Sequence, residues 1–272
     1  MTDSEHTGGH AGIESAVGMG HSAVWLLLVA LLWGLYLAGA LRAGSAKRWP
    51  WWRTGLFSLG CLALMAGFSP SLMHWAHSDV RGHMVQHLLL GMFAPLGLVL
   101  AAPVTLLLRT LPVRGARRVV RFLAMRPVRW LTHPITAATL DMGGMYLLYM
   151  TPLYAQSLAS PWLSHLLHLH FVLAGTLFTW AIAGPDPAPR RPGFRLRLAT
   201  LVAAMAAHSA LGKLLYARGY PRGTGASLAE LETGALWMYY WGDLATGVLI
   251  VMLMLEWLRR RRSARAFVPG QT

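Results

Sequence analysis

The sequence predicts an all-α integral membrane protein: a bundle of seven transmembrane helices, N-terminus outside and C-terminus in the cytoplasm. Three observations carry that prediction. Of the 272 residues, 55% are hydrophobic and only 12% charged, about half the charged share of a typical soluble domain. The apolar residues gather into runs near the ~20 residues that a helix needs to cross a bilayer. The basic residues fall mainly on alternate connections between those runs.

The runs lie at 22–42, 53–76, 83–108, 134–156, 162–184, 196–218 and 233–258. Each must be helical, because an isolated strand leaves its backbone groups unsatisfied in hydrocarbon. Ahead of the first run, residues 1–20 contain no Lys or Arg. They lack the basic start of a signal peptide and read as a polar extracytoplasmic tail. The second and third runs meet at a polar stretch, residues 73–87, where His and Asp accumulate. Residues 112–130 intersperse Arg with Val, Phe, Leu and Met, the pattern of an amphipathic helix lying on the inner surface. Residues 21–258 thus form the membrane domain, and 259–272 a basic cytoplasmic tail.

Orientation follows from the basic residues, which favour the cytoplasmic side. One set of connections, with the C-terminal tail, holds 20 of the 24 Lys and Arg. These are Arg42 to Arg53, Arg109 to Arg129, Arg190 to Arg197 and Arg259 to Arg265. The opposite side has Arg81, Arg218 and Arg222, while Lys213 lies within a run and snorkels outward. Trp49, Trp51, Trp52, Trp130 and Trp257 fall at the inner edge, and Trp75, Tyr154, Trp162 and Tyr220 at the outer. The net charge of +14, which in a soluble chain would point to nucleic acid, is explained by this bias. The single cysteine, Cys61, excludes both a disulfide framework and a CxxC site.

Twelve histidines are present, and most fall at one level of this topology. His74 and His77 close the second run, His83 and His87 open the third, and His165 and His168 open the fifth. His208 lies in the middle-to-outer part of the sixth and Met150 near the outer end of the fourth, whereas His133 sits at the inner edge. His83 and His87 are four apart and share a helix face, as do the two pairs spaced by three. Imidazole suits copper, zinc, iron and nickel, and thioether sulfur favours Cu(I). Met73, Met84 and Met150 lie close by, with Met205 one turn from His208. His6, His10, Met19 and His21 would add a loose capture site in the outer tail.

Blander roles compete for each residue. A lone helical histidine such as His208 or His170 ordinarily makes a hydrogen bond between helices, and Met84, Met145 and Met205 pack. Asp79 and Arg81 read as a solvated pair. Asp141 and Asp243 are intramembrane acids, suited to a proton relay or to orienting a ligating His. No nucleophile elbow, Walker loop or HExxH occurs, so the chain reads as no enzyme.

Residues 82–112, GHMVQHLLLGMFAPLGLVLAAPVTLLLRTLP, resemble the central motif of the CtaG-type cytochrome c oxidase assembly factors. The HMVQHLLL block is the specific part, followed by two Ala-Pro pairs and Leu-Leu-Arg. His133-Pro134, Pro152-Leu153-Tyr154, and His165 and His168 followed by Phe171, Gly175 and Phe178 are also similar. The resemblance runs through most of residues 20–258. It implies a seven-helix protein of the bacterial inner (plasma) membrane that serves assembly of the copper-containing oxidase. It carries the family histidines onto His83, His87, His133, His165 and His168. Two departures stand out: Met150 where a His is expected, and Glu230 and Glu232 where a Gln-rich acidic segment is expected.

The leading expectation is a copper-binding assembly factor that takes copper from a donor outside the membrane and passes it to an oxidase subunit. His83 and His87 would be the primary ligands, His165 and His168 would face them, and Met150, His77, His74 and His208 would supplement. The bilayer, the oxidase and a second copy of the chain are the partners in view; nucleic acid is not. The main rival is a haem-binding or haem-handling membrane protein with bis-His ligation. A metal or proton transporter using Asp141, Asp243 and the histidines is a third reading, and a structural scaffold a fourth.

Overall fold

The computed structural model describes residues 6–43, 48–188 and 191–266, with side chains from residue 22 to 262. The described residues form helices and connections with no strand. Helix α1 (His6–Arg42) begins inside the segment read as a polar tail. The tail residues His6, His10, Met19 and His21 lie outside the described side chains.

The second apolar run is broken. Helix α2 (Trp51–Gly67) ends at Phe68, and α3 (Pro70–Ser78) leaves at 53° to it. Ser69 is extended and its hydroxyl accepts from the Leu72 N–H at 3.3 Å. Pro70 has no N–H to continue the ladder, so the chain restarts with a new cap. Asp79 repeats the device, its carboxylate accepting from the Arg81 N–H at 2.7 Å to start α4 (Val80–His87).

The third run passes from α4 through a π-helical turn, Leu88–Phe93, into α5 (Ala94–Leu100). Pro95 cannot donate to the Gly91 carbonyl, and the widened turn accommodates that missing bond. The carbonyl faces Gly175 so closely that a Cβ at residue 175 would collide with it. The run was expected to reach residue 108 as one helix; it stops at Ala102, which adopts φ 56° and ψ 55°. Pro103 disfavours α geometry at the residue before it and opens α6 (Pro103–Thr110). Asp186 caps α6 from a distant connection, accepting from Val104 N, Thr105 N and Thr105 Oγ1 at 3.1, 2.7 and 2.6 Å.

The Arg-rich segment is helical and amphipathic as expected, but in two pieces, α7 (Val113–Leu123) and α8 (Arg126–Leu131), neither with a buried residue. The fourth run is shorter than expected. Helix α9 (Pro134–Met150) has 17 residues and breaks at Thr151-Pro152 before α10 (Leu153–Ala159). Helices α11 (Pro161–Ala183), α12 (Phe194–Arg218) and α13 (Leu228–Ala266) complete the bundle.

Among the described residues, five helical stretches are long and apolar enough to cross a membrane: Ser22–Arg42, Val80–Leu100, Pro161–Ala183, Phe194–Arg218 and Leu228–Arg262. The bent α2–α3 pair makes a sixth. On α1, Leu27, Leu31, Leu35 and Leu41 are exposed, an apolar surface that suits lipid.

Contacts define two ends. At one, Arg81 reaches Glu230 at 3.4 Å and Ser22 reaches Met73. At the other, Glu256 binds Arg197 at 2.7 Å and Arg260 at 2.6 Å, and Arg197 donates to the Ile182 carbonyl at 2.9 Å. Two apolar clusters run between them, one around α9 and α11–α13, the other where α1, α2 and α5 meet.

Candidate functional site

The site lies where α3, α4 and α11 meet, at the Arg81–Glu230 end. The turn at Asp79 folds α3 back against α4, and its geometry is fixed by charge. Arg81 donates to both Asp79 oxygens, the closest contact being 2.6 Å. Those bonds hold the Asp79 carboxyl below its ordinary pKa. The pair expected to be solvated is thus partly shielded, with the Asp79 side chain 13% exposed.

Folding α3 onto α4 leaves a cavity of about 50 Å³ lined by Met73, His77, His83, Gln86, Ser157, Ser164 and His168, among others. Gln86 organises it. Its side-chain amide donates to the Gly67 carbonyl at 2.8 Å, a group left over at the end of α2. The amide oxygen therefore faces His168 Nε2, 3.0 Å away. The acceptor makes that nitrogen the N–H, so His168 Nδ1 carries the lone pair, and it is buried without a hydrogen-bond partner. His83 Nε2 is also buried and unpartnered. The His83 ring is set by edge contacts with Tyr154 and Tyr149, at 4.5 and 5.9 Å between centroids. The Met73 sulfur accepts from Ser22 Oγ at 3.1 Å.

The remaining expected residues are distributed differently. His87 lies one turn deeper and does not line the cavity. Its ring packs edge-on against Phe171 at 4.9 Å and Tyr149 at 6.3 Å, with both nitrogens unpartnered. The i,i+4 spacing gives a shared face but different depths. His165 turns toward α1, where its Nδ1 accepts from Trp25 Nε1 at 3.3 Å. His74 is exposed on α3, Met150 packs against the apolar core, and His208 is deep between α12 and α13. His133 lies at the other end, in a cleft with Trp180 and Arg191.

Among the described residues no three His, Cys, Asp or Glu side chains stand close enough to form a metal-ion site. The cavity instead offers imidazole nitrogens beside a thioether, a donor set suited to Cu(I). Gln86 is the residue that sequence reasoning missed. It lies inside the HMVQH block, but its task depends on where α2 ends.

Three histidines nest on glycines, His87 and His208 buried and His170 half-buried. His87 lies 3.4 Å from where a Cβ of Gly91 would stand, and side chains at Gly144 and Gly242 would collide with His170 and His208. His170 has the interhelical role expected of it, at 3.2 Å from the Leu140 carbonyl. His208 does not: both of its nitrogens are unpartnered. Asp243 accepts from Ser209 at 2.9 Å, and Lys213 lies over the Tyr239 ring at 5.6 Å.

Comparison with known proteins places this arrangement in context. The family model described as cytochrome c oxidase caa3 assembly factor matches residues 34–260. Uncharacterized proteins of Mycobacterium bovis and Mycobacterium tuberculosis are each 32% identical over 253 residues, covering 84% of this chain and 38% of theirs. A third, from Mycobacterium leprae, is 32% identical over 244 residues, covering 83% of this chain and 37% of its own. The chain therefore spans less than half the length of these relatives. No solved structure matches it.

Proposed function

Because the chain belongs to the cytochrome c oxidase caa3 assembly factor family, we propose that it binds copper in the α3–α4–α11 cavity and delivers it to the oxidase. The family makes the oxidase the client and points to a non-catalytic role. Copper is cargo here. His83 and His168 are the first ligands, with Met73 and His77 at the mouth and His87 behind.

One observation carries the reading: His83 and His168 both turn toward one small cavity and each has a buried, unpartnered nitrogen. Burying a bare polar nitrogen is unfavourable, and a soft cation would satisfy both. A cavity of about 50 Å³ suits an ion far better than a macrocycle, since organic ligands occupy roughly 300 Å³ or more. The haem reading is the weaker for that.

In this reading α9 is the seventh span. At about 25 Å it is short against a hydrocarbon core of about 30 Å, and α10 makes up the remainder. The basic residues then put the Glu256 end in the cytoplasm and the cavity at the outer face of the bacterial plasma membrane, where copper arrives. The exposed His77 and half-buried Met73 offer ligands to an incoming ion. An incompletely saturated shell lets the oxidase subunit take the ion by ligand exchange.

The test is metal analysis of the purified full-length protein with its visible spectrum, for wild type and His83→Ala/His168→Ala. At least one equivalent of copper, without haem bands, should be lost in the double variant, and copper in the oxidase of cells carrying it should fall. A double variant that keeps all its copper and a fully metallated oxidase would remove the proposal.

A further inference from the structure

We propose that the bundle holds a second, internal site for a monovalent soft cation, built from His208 and Asp141 with the sulfurs of Met142 and Met205. These four line a separate cavity of about 20 Å³, together with Thr179 and Thr246. That is room for roughly one water-sized occupant. The inference takes its ligand, Cu(I), from the proposed function, but its site shares no residue with the first cavity.

Two polar groups there lack what burial ordinarily requires. His208 is 1% exposed, and neither ring nitrogen has a hydrogen-bond partner. Asp141 is 6% exposed and enters no ion pair among the described residues. A carboxylate that far from water, without a cation, is strongly disfavoured. The imidazole is seated against Gly242 of α13, where a Cβ would collide with it, and it also lines the cavity.

The charge of the site selects the ligand. Asp141 supplies one negative charge and the other donors are neutral. A singly charged ion makes the site electrically neutral, whereas a divalent ion leaves a net positive charge in a low-dielectric interior. Imidazole nitrogen with thioether sulfur selects Cu(I), or its surrogate Ag(I), among singly charged ions; sodium and potassium prefer oxygen. His87, deep to the first cavity with both nitrogens bare, lies on the His83 helix between the first cavity and the π-helical turn whose Gly91 lines the second. The two cavities with His87 make a path of soft donors from the Arg81 end into the bundle.

The test is anaerobic titration of Cu(I) into the full-length protein in detergent, against a colorimetric Cu(I) chelator. Wild type should bind two equivalents. Asp141→Asn, which keeps the shape and removes the charge, should bind one, as should His208→Gln. His83→Ala/His168→Ala should also bind one, and the combination none. X-ray absorption on the His83→Ala/His168→Ala protein should show sulfur scattering that Met205→Leu reduces, which reports the inner site without relying on a fragile variant. Two equivalents retained in both Asp141→Asn and His208→Gln would overturn the inner site. So would a wild type holding one equivalent that only the outer double variant removes. One equivalent lost in the inner variants and indifferent to His83 and His168 would support the inner site while overturning the outer one.

Discussion

Replacing Gln86 by Leu should weaken copper binding and stability together, for reasons that can be separated. Gln86 is 2% exposed and joins three helices through two hydrogen bonds, to the Gly67 carbonyl and to His168. Leucine nearly preserves volume, so packing changes little and the polar losses dominate. Hydrogen bonds between membrane helices average about 0.6 kcal/mol, which sets a floor of about 1 kcal/mol for two. Stranding a buried acceptor and a buried donor costs about 1–3 kcal/mol each, and relaxation of the helices reduces that; about 2 kcal/mol is the expected loss. The second effect is on His168. Without an acceptor at Nε2, its proton is free to occupy Nδ1, the unpartnered nitrogen that would bind copper in the proposed site. Losing such a supporting partner typically lowers metal affinity about 10–100-fold. Chelator competition measures the affinity and thermal unfolding in detergent the stability. Gln86→Glu divides the two, since a carboxylate still accepts from His168 but meets the Gly67 carbonyl with repulsion. It should lose stability like Leu while keeping copper affinity closer to wild type. Copper affinity in Gln86→Leu within about twofold of wild type would refute the argument that Gln86 sets the His168 tautomer.

Gly175→Ala should be severe, because its Cβ meets the Gly91 carbonyl that the π-helical turn projects toward α11. A cost at or above the usual 1–3 kcal/mol of overpacking should appear as a lower yield of monodisperse protein, and normal yield and unfolding temperature would contradict the close approach. Acid should weaken the Asp79 turn. Arg81 lowers the Asp79 pKa, so its stabilisation is present above the unfolded carboxylate value of about 3.9 and disappears as pH falls through the lowered folded value. Unfolding midpoints between about pH 6 and pH 2 should fall less steeply for Asp79→Asn than for wild type. The effect should be small, because Arg81 is 37% exposed and screened by water.

The helical architecture was legible from apolar run length alone, but the breaks within runs leave no mark in hydropathy. Ser69-Pro70 and Ala102-Pro103 both announce a restart by the chemistry of proline, yet hydropathy continues across each, and reading hydropathy joined what proline separates. The site was legible in part for a related reason. Topology brought His77, His83 and His168 to one level, and the structure brings them to one cavity. Topology contains no rotation about a helix axis, so it could not show that His165 faces Trp25 or that His74 faces outward. Met150, where the sequence resemblance led one to expect a His, packs against the core and does not line the cavity, and the thioether beside the imidazoles comes from Met73. Gln86 was invisible because its partners are a backbone carbonyl on another helix and a histidine 82 positions away.

The nesting of imidazoles on glycines ties pairs of positions together in inheritance. At Gly144 and Gly242 even a methyl group would strike the ring of His170 or His208. Neither member of such a pair is free to drift alone. A lineage that gains a side chain at the glycine must first surrender the histidine, and one that has lost the histidine leaves a hole that a larger residue will fill. Among relatives, Gly242 and His208 should therefore be kept or lost together, as should Gly144 and His170. A relative holding His208 beside a bulkier residue at position 242 would have had to move α12 away from α13.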